Sequence, residues 1–220
     1  MRYLLRRHPL PVIALFRHSL VLTYAFSADL LAPLLPPGLV LDTYQGYGFL
    51  AIALVQTTGL RPRGLPAWLG QDFFLSGYRL FTRMGQAGSA RRGLYIVRSD
   101  TDRRWMVYAG NRLTHYGYQL CTATLREQPG ELVCSIRTPH GEANLDVYAH
   151  ISDLPAALPS GSPFLNAHEA RRFAGPLPYT FDYEPETHSL ISVRGVRSHW
   201  APQPVNVEVR QNAFLDREPF

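Results

Sequence analysis

The stretch RGLYIVRSDTDRRWMVYAGNRLTHYGYQLCTATLRE, residues 92–127, decides how the whole chain is read. Its ends, RGLYIVRS (92–99) and YQLCTATLRE (118–127), alternate apolar and polar residues with period two and are rich in aromatic and β-branched types, the pattern of half-buried strands. RRWMVYAG (103–110) reads the same way, with SDTD (99–102) as a hairpin turn before it. Between these strands the spacing predicts a helix of about one and a half turns, capped by Asn111 and ended by Gly117 in the left-handed conformation. On it Asn111 and His115 share one side, and Arg112 and Tyr116 the next.

Working outward, the same alternation recurs in HSLVLTYAF (18–26), GFLAIALVQT (48–57), DFFLSGYRLF (72–81), ELVCSIRT (131–138), EANLDVYAHI (142–151), HSLISVRGV (188–196) and VNVEV (205–209). EQPGE (127–131) and TPHGE (138–142) have hairpin-turn chemistry. Two other helices are expected: SADLLAPLL (27–35) behind Ser27, stopped by Pro36, Pro37 and Gly38, and NAHEARRF (166–173) behind Asn166. Two long loops rich in proline and glycine, TGLRPRGLPAWLGQ (58–71) and SDLPAALPSGSPF (152–164), are rims of a site or plain surface excursions. The fold class is therefore mainly β (α+β), antiparallel, with a few short helices, arranged as one domain over 1–220.

Composition narrows the chemistry. The chain contains no lysine, so all 22 of its Lys/Arg cations are arginine. A Schiff base with a carbonyl substrate or with pyridoxal phosphate is excluded, and so is a P-loop lysine. The formal charge of +5 is spread over separated pairs such as Arg6/Arg7, Arg91/Arg92, Arg103/Arg104 and Arg171/Arg172, so no nucleic-acid partner is expected. The apolar run 11–16 is cut by Arg17 and His18, too short for a signal peptide or a membrane span; a cytoplasmic protein with no membrane association is expected. Cys121 and Cys134 fall in strand patterns and read as reduced core residues.

The eight histidines form no metal signature, although His140/Glu142 and His168/Glu169 are close pairs; no metal and no cofactor are expected. No nucleophile elbow is present, and Asp100 and Asp102 read as turn residues. What remains is a set of arginines and aromatics inside strand patterns: Arg17, Tyr78, Arg79, Arg112, His115 and Tyr118. In a closed barrel alternate residues point inward, where an arginine binds an anionic group bidentately. Tyr78 and Arg79 point to opposite faces, so one of them lines any given pocket.

Four segments together, HPLPVIALFRHSLVLTYAFSADLLAPLLPPGLVLDTY, FFLSGYRLF, GLYIVRSDTDRRWMVYAGNRLTHYGYQL and FAGPLPYTFDYEPETHSLISVRGVRSHWAPQPVNVEV, resemble the YqjF-like bacterial family of unknown function. More distantly, the chain is similar to the acetoacetate decarboxylase superfamily. That resemblance implies an antiparallel β-barrel or cone with peripheral helices and a central ligand cavity. It also implies that Arg17 occupies the position of that superfamily's active-site arginine. AGNRLTHYGYQL resembles the decarboxylase piece that ends in Tyr-Pro-Lys-Lys-Leu, and matching its tyrosine to Tyr116 sets Tyr118 and Gln119 at the two lysine positions. The strand matching the one that carries the decarboxylase's glutamates reads GFLAIALV, so amine chemistry is not transferable.

Two functional readings follow. In one, a barrel cavity holds a small organic carboxylate or keto/enol molecule, with Arg17, Tyr78, Arg79, Arg112 and Gln119 as ligand-binding candidates. His115 and Tyr118 are the catalytic candidates for lysine-independent proton transfer or lyase chemistry. In the other, the same cavity belongs to a non-catalytic binding or sensing module. Both need only a small-molecule partner and leave a homo-oligomer open.

Overall fold

The computed structural model describes residues 3–85, 90–151, 157–175, 177–198, 202–217 and 219–220. In chain order its elements are a 3-10 turn at Tyr3–Arg6, β1 (Val12–Ser27), α1 (Ala28–Leu31) running into a 3-10 turn at Ala32–Leu34, β2 (Leu39–Leu41) and β3 (Tyr47–Pro62). A 3-10 turn at Ala67–Leu69 precedes β4 (Gln71–Met84), β5 (Arg91–Thr101), α2 (Arg104–Leu113), β6 (Tyr118–Leu120), β7 (Thr122–Gln128), β8 (Glu131–Arg137) and β9 (Leu145–His150). The last elements are α3 (Ala167–Ala174), β10 (Tyr179–Glu184), β11 (Ser189–Arg194) and β12 (Asn206–Asn212).

The chain divides into two compact units, Met1–Leu120 with Leu177–Gly195, and Cys121–Pro176 with Val196–Phe220. The first is built on an eight-stranded sheet of order β1-β3-β4-β5-β10-β11, with β2 on β4 and β6 on β5. β3 is its central apolar strand: every residue from Phe49 to Val55 is at most 3 % exposed, as expected for a strand covered on both faces. β1, at the edge, alternates instead, with Leu20 and Leu22 buried and Val21 44 % exposed between them. The buried Asp42 is satisfied by the guanidinium groups of Arg83 and Arg92, register partners on β4 and β5.

The second unit is a four-stranded antiparallel sheet, β12-β9-β8-β7. Leu132, Cys134 and Ile136 of β8 and Leu145, Val147 and Ala149 of β9 form its core at alternate positions, as period two requires. The two expected hairpins are present, with Gly130 and Gly141 in the left-handed region at φ 76° and 74°. Both cysteines are buried and neither forms a disulfide. Asn166 caps α3 as expected, accepting the Glu169 N–H at 2.9 Å. Of the loop 152–164, residues 152–156 lie outside the described residues. Among the described residues no helix is long and apolar enough to cross a membrane.

Four expectations are corrected. Among the described residues no sheet closes into a barrel: the larger one is open between β1 and β11, the smaller between β12 and β7. There is no hairpin at 99–102, and RRWMVYAG is helical. β5 runs through to Thr101, the chain turns into α2, and β6 returns parallel to β5 with Ser99 opposite Tyr118. This is a β-α-β crossover in place of an antiparallel pair. Asn111 is consequently not a cap but a residue of the last turn of α2.

Alternation misled because Trp105, Val107 and Ala109 fit period two, whereas exposure follows helical spacing, with Arg104, Trp105, Tyr108 and Arg112 exposed and Gly110 buried. The helix has no acidic residue in its first turn and no side-chain cap, so its stability comes from packing. Trp105 meets Phe73 edge-on with ring centroids 5.7 Å apart, and Gly110 lies on the ring of Tyr118. A Cβ at 110 would stand 2.3 Å from Tyr118 Cδ2. Gly110→Ala should therefore lower stability by about 1–3 kcal/mol through overpacking, measured by urea unfolding; an unchanged midpoint would refute this packing.

Candidate functional site

Parallel pairing with β5 sets β10 so that Asp182 shares a sheet face with Arg79 of β4 and Tyr118 of β6. Asp182 is 3 % exposed at its side chain and carries four hydrogen bonds. Its Oδ2 accepts from His8 Nε2 at 2.8 Å, from the His115 backbone N–H at 3.0 Å and from His115 Nδ1 at 3.2 Å. Its Oδ1 accepts the Tyr183 N–H at 2.9 Å. Burial pushes this carboxyl's pKa up, but the hydrogen bonds from the His8 ring and the His115 backbone outweigh it and hold the pKa below the ordinary value.

His115 follows directly from the end of α2. Thr114 closes the helix, its N–H and Oγ1 both donating to Gly110 O, at 2.8 and 2.9 Å, and its Oγ1 also receives the Tyr116 N–H at 3.2 Å. Gly117, at φ 63°, then turns the chain into β6. Asn111 clamps the start of that strand from both sides: its Nδ2 donates to Tyr118 O and its Oδ1 accepts the Tyr118 N–H, each at 2.8 Å. The imidazole of His115 is therefore held at both ends of a short connection. A carboxylate acceptor at Nδ1 assigns the proton to that nitrogen in the neutral ring. Nε2 then carries the lone pair, and in the structure it is buried without a hydrogen-bond partner.

Two phenols and a guanidinium lie within electrostatic reach of one another, and both phenols within reach of Asp182. Burial, chiefly, raises Tyr116 well above the usual phenol pKa; Asp182 and Tyr118 add to the rise and Arg79 opposes it. Tyr118 is pushed up to about 12 by burial, with Arg79 pulling down and Asp182 pushing up. Both hydroxyls are thus protonated donors at neutral pH. The Arg79 side chain folds back over Gly77, where a Cβ would come within 2.9 Å of Nε. Glycine at 77 is what makes room for the guanidinium on this face.

The N-terminal segment closes one side. His8 N–H donates to Leu113 O at 3.0 Å, Arg6 Nε to Thr114 O at 3.2 Å, and the His8 ring lies 4.8 Å from that of Tyr116. Arg7 pairs with the buried Glu184, two residues along β10 from Asp182, and Thr187 donates to the same carboxylate.

Of the residues chosen from sequence, His115, Tyr118 and Arg79 come together here. Tyr78 is fully buried on the opposite face of β4, opposite Ile52 and Arg98. Gln119 is exposed, as alternation from Tyr118 demands, and Arg112 is exposed on α2. Arg17 is exposed at the irregularity of β1 between Phe16 and His18 and takes no part in the Asp182 network among the described residues. The residues not foreseen are His8, Asp182, Glu184 and Arg7. YTFDYE, the segment bearing both acids, has the alternation of a strand, but acids in such a pattern are ordinarily assigned to solvent. Among the described residues no group of three or more His, Cys, Asp or Glu is arranged to hold a metal ion.

Residues 14–220 match the model of the DUF2071 family, described as an uncharacterized conserved protein (COG2071). No curated protein matches the chain. Among solved structures it is similar to the acetoacetate decarboxylase of Legionella pneumophila, at 15 % identity and TM-score 0.58 over 92 % of this chain and 75 % of that one. It is also similar to an acetoacetate decarboxylase-like enzyme from Sphingomonas wittichii RW1, at 16 % identity and TM-score 0.57 over 90 % and 79 %. A third likeness is to the enduracididine biosynthesis enzyme MppR complexed with pyruvate, at 12 % identity and TM-score 0.50 over 87 % and 82 %. These likenesses establish the fold.

Because the folded-state pKa of Asp182 lies below its ordinary value, its ionisation stabilises the fold above that ordinary value, and the contribution disappears as pH falls through the folded-state pKa. Asp182→Asn should cost about 1–3 kcal/mol at pH 7, as for lost hydrogen bonds to a charged group. In urea titrations the gap between the wild type and this variant should narrow from pH 7 to pH 3. A gap that stays constant would show that the carboxylate charge is not what binds the two histidines.

Proposed function

We propose that this chain, which belongs to the DUF2071 family, binds a small organic carboxylate or keto/enol molecule on the Arg79–Tyr118 face of its larger sheet and moves a proton on it with His115. The observation that carries this reading is the buried His115 Nε2, which has no protein partner while Nδ1 is anchored on Asp182. A neutral imidazole oriented by a carboxylate through one nitrogen offers the other as a base, the arrangement general acid–base catalysis requires. Leaving such a nitrogen buried and unpartnered is unfavourable unless something else supplies the missing hydrogen.

The other groups fit a substrate that is anionic at one end and carbonyl-like at the other. Arg79 supplies the cation for a carboxylate. Tyr116 and Tyr118, held protonated, are donors for an oxygen on which negative charge develops as a neighbouring C–H proton leaves. The chemistry is proton abstraction beside a carbonyl and return of the proton, with no covalent amine adduct, since the chain has no lysine to form one. Pyruvate in the complexed MppR structure supports the ligand class.

The protonated state of both phenols also favours a second reading, binding without turnover. Donors and a guanidinium hold an anion whether or not His115 acts on it.

The experiment is deuterium incorporation into small 2-oxo and 3-oxo acids in D2O, followed by proton NMR, with saturation binding measured in parallel. Wild-type protein should exchange the protons adjacent to the carbonyl, and His115→Gln should lose about 10²-fold or more of that rate while still binding. Arg79→Gln should weaken binding itself. Saturable binding without exchange selects the sensing reading, and equal exchange by His115→Gln would remove His115 from the mechanism.

A further inference from the structure

Away from the His115 site, a groove of ≈ 640 Å³ lies between α2 and the N-terminal 3-10 turn. Its volume is within the range of sites for small organic ligands, roughly 300–1,000 Å³. Arg104, Tyr108 and Arg112 recur every four residues, so they form one stripe along α2, and Arg6 faces them from the turn. Glu186 is the single carboxylate of the lining.

Some arginines elsewhere are paired with carboxylates, Arg7 with Glu184, Arg83 and Arg92 with Asp42, Arg98 with Asp100 and Arg137 with Asp146, whereas others, such as Arg17 and Arg126, have no such pairing among the described residues. Among the described residues neither Arg104 nor Arg112 has such a partner. Between the two guanidinium groups stands Tyr108, 71 % exposed, and Leu5 opposite is 43 % exposed. Guanidinium groups recognise phosphate and carboxylate bidentately and also stack on flat rings, so the stripe offers charge and an apolar platform together. Glu186 adds an acceptor for a hydroxyl or amine.

We propose that this groove is an effector site for a small organic anion that joins a phosphate or carboxylate group to a flat apolar body. The proposal stands whether or not His115 transfers protons. Its reach into the other site is mechanical. Arg6, in the groove wall, donates to Thr114 O, and Asn111, also in the wall, holds both backbone groups of Tyr118. A ligand that immobilises these two side chains fixes the backbone on either side of the 115–117 connection. Occupancy is thereby coupled to how firmly His115 and Tyr118 are held.

The test is calorimetric titration of the full chain with 1-naphthyl phosphate, inorganic phosphate and 1-naphthol. 1-Naphthyl phosphate should bind saturably and more tightly than either half, and Arg104→Gln/Arg112→Gln should weaken it about tenfold or more. Tyr108→Ala, which keeps the charges, should weaken 1-naphthyl phosphate but not inorganic phosphate. Urea unfolding of each variant establishes that it is folded. Saturation should also slow amide hydrogen exchange at Tyr118. Absence of saturable binding, or equal affinity in the double arginine variant, overturns the site. Inorganic phosphate binding as tightly as 1-naphthyl phosphate overturns the apolar part, and unchanged exchange at Tyr118 overturns the coupling.

Discussion

A buried carboxylate must be fully hydrogen-bonded or it is a large liability, and Asp182 meets that requirement only by drawing distant parts of the larger unit together. Its donors come from Tyr183 beside it, from His115, 67 residues earlier, and from His8, 174 residues earlier. The N-terminal turn, the connection after α2 and the inserted strand β10 therefore share one electrostatic condition. If any donor is withdrawn, a negative charge remains in a place that water does not reach. The same condition orients His115, because two of the four bonds come from that residue, one from its backbone and one from its ring.

The geometry that presents these donors is a product of small residues at close approaches. Gly110 lets α2 lie on the ring of Tyr118, and Gly77 lets the Arg79 guanidinium lie on β4. Alanines at 51 and 53 of β3, opposite Arg79 and Gly77 in register, continue this strip of small side chains. A face lined in this way can carry large polar groups without displacing the backbone, which a face of leucines could not do at native packing density.

Much of this was legible in the alternating pattern, and the failures have physical causes. Strands such as β3, β4 and β8 declare themselves because burial and periodicity agree. The segment 103–110 does not, since Trp105, Val107 and Ala109 at odd positions imitate a strand and no cap or acidic first turn marks the helix. Only tertiary packing against Phe73 and Tyr118 decides it. His115, Tyr118 and Arg79 were recognisable because polar residues inside apolar patterns demand an explanation. Asp182 and His8 were not, because a carboxylate in YTFDYE looks solvent-facing until its donors are known, and its imidazole donors lie 67 and 174 residues earlier in the chain.

The crossover from α2 into β6 determines which polar side chain reaches the network. Strand alternation buries Tyr118 and exposes Gln119, so only Tyr118 can face the Asp182 network. An amine there would bring charge and nucleophilicity in one group. The phenol of Tyr118, with its pKa pushed up to about 12, brings neither at neutral pH and acts as a neutral donor. In the proposed reading these two properties stand on separate groups, positive charge on Arg79 and basicity on His115. Separation of these roles requires a means of orienting the base, and the buried carboxylate of Asp182 provides it.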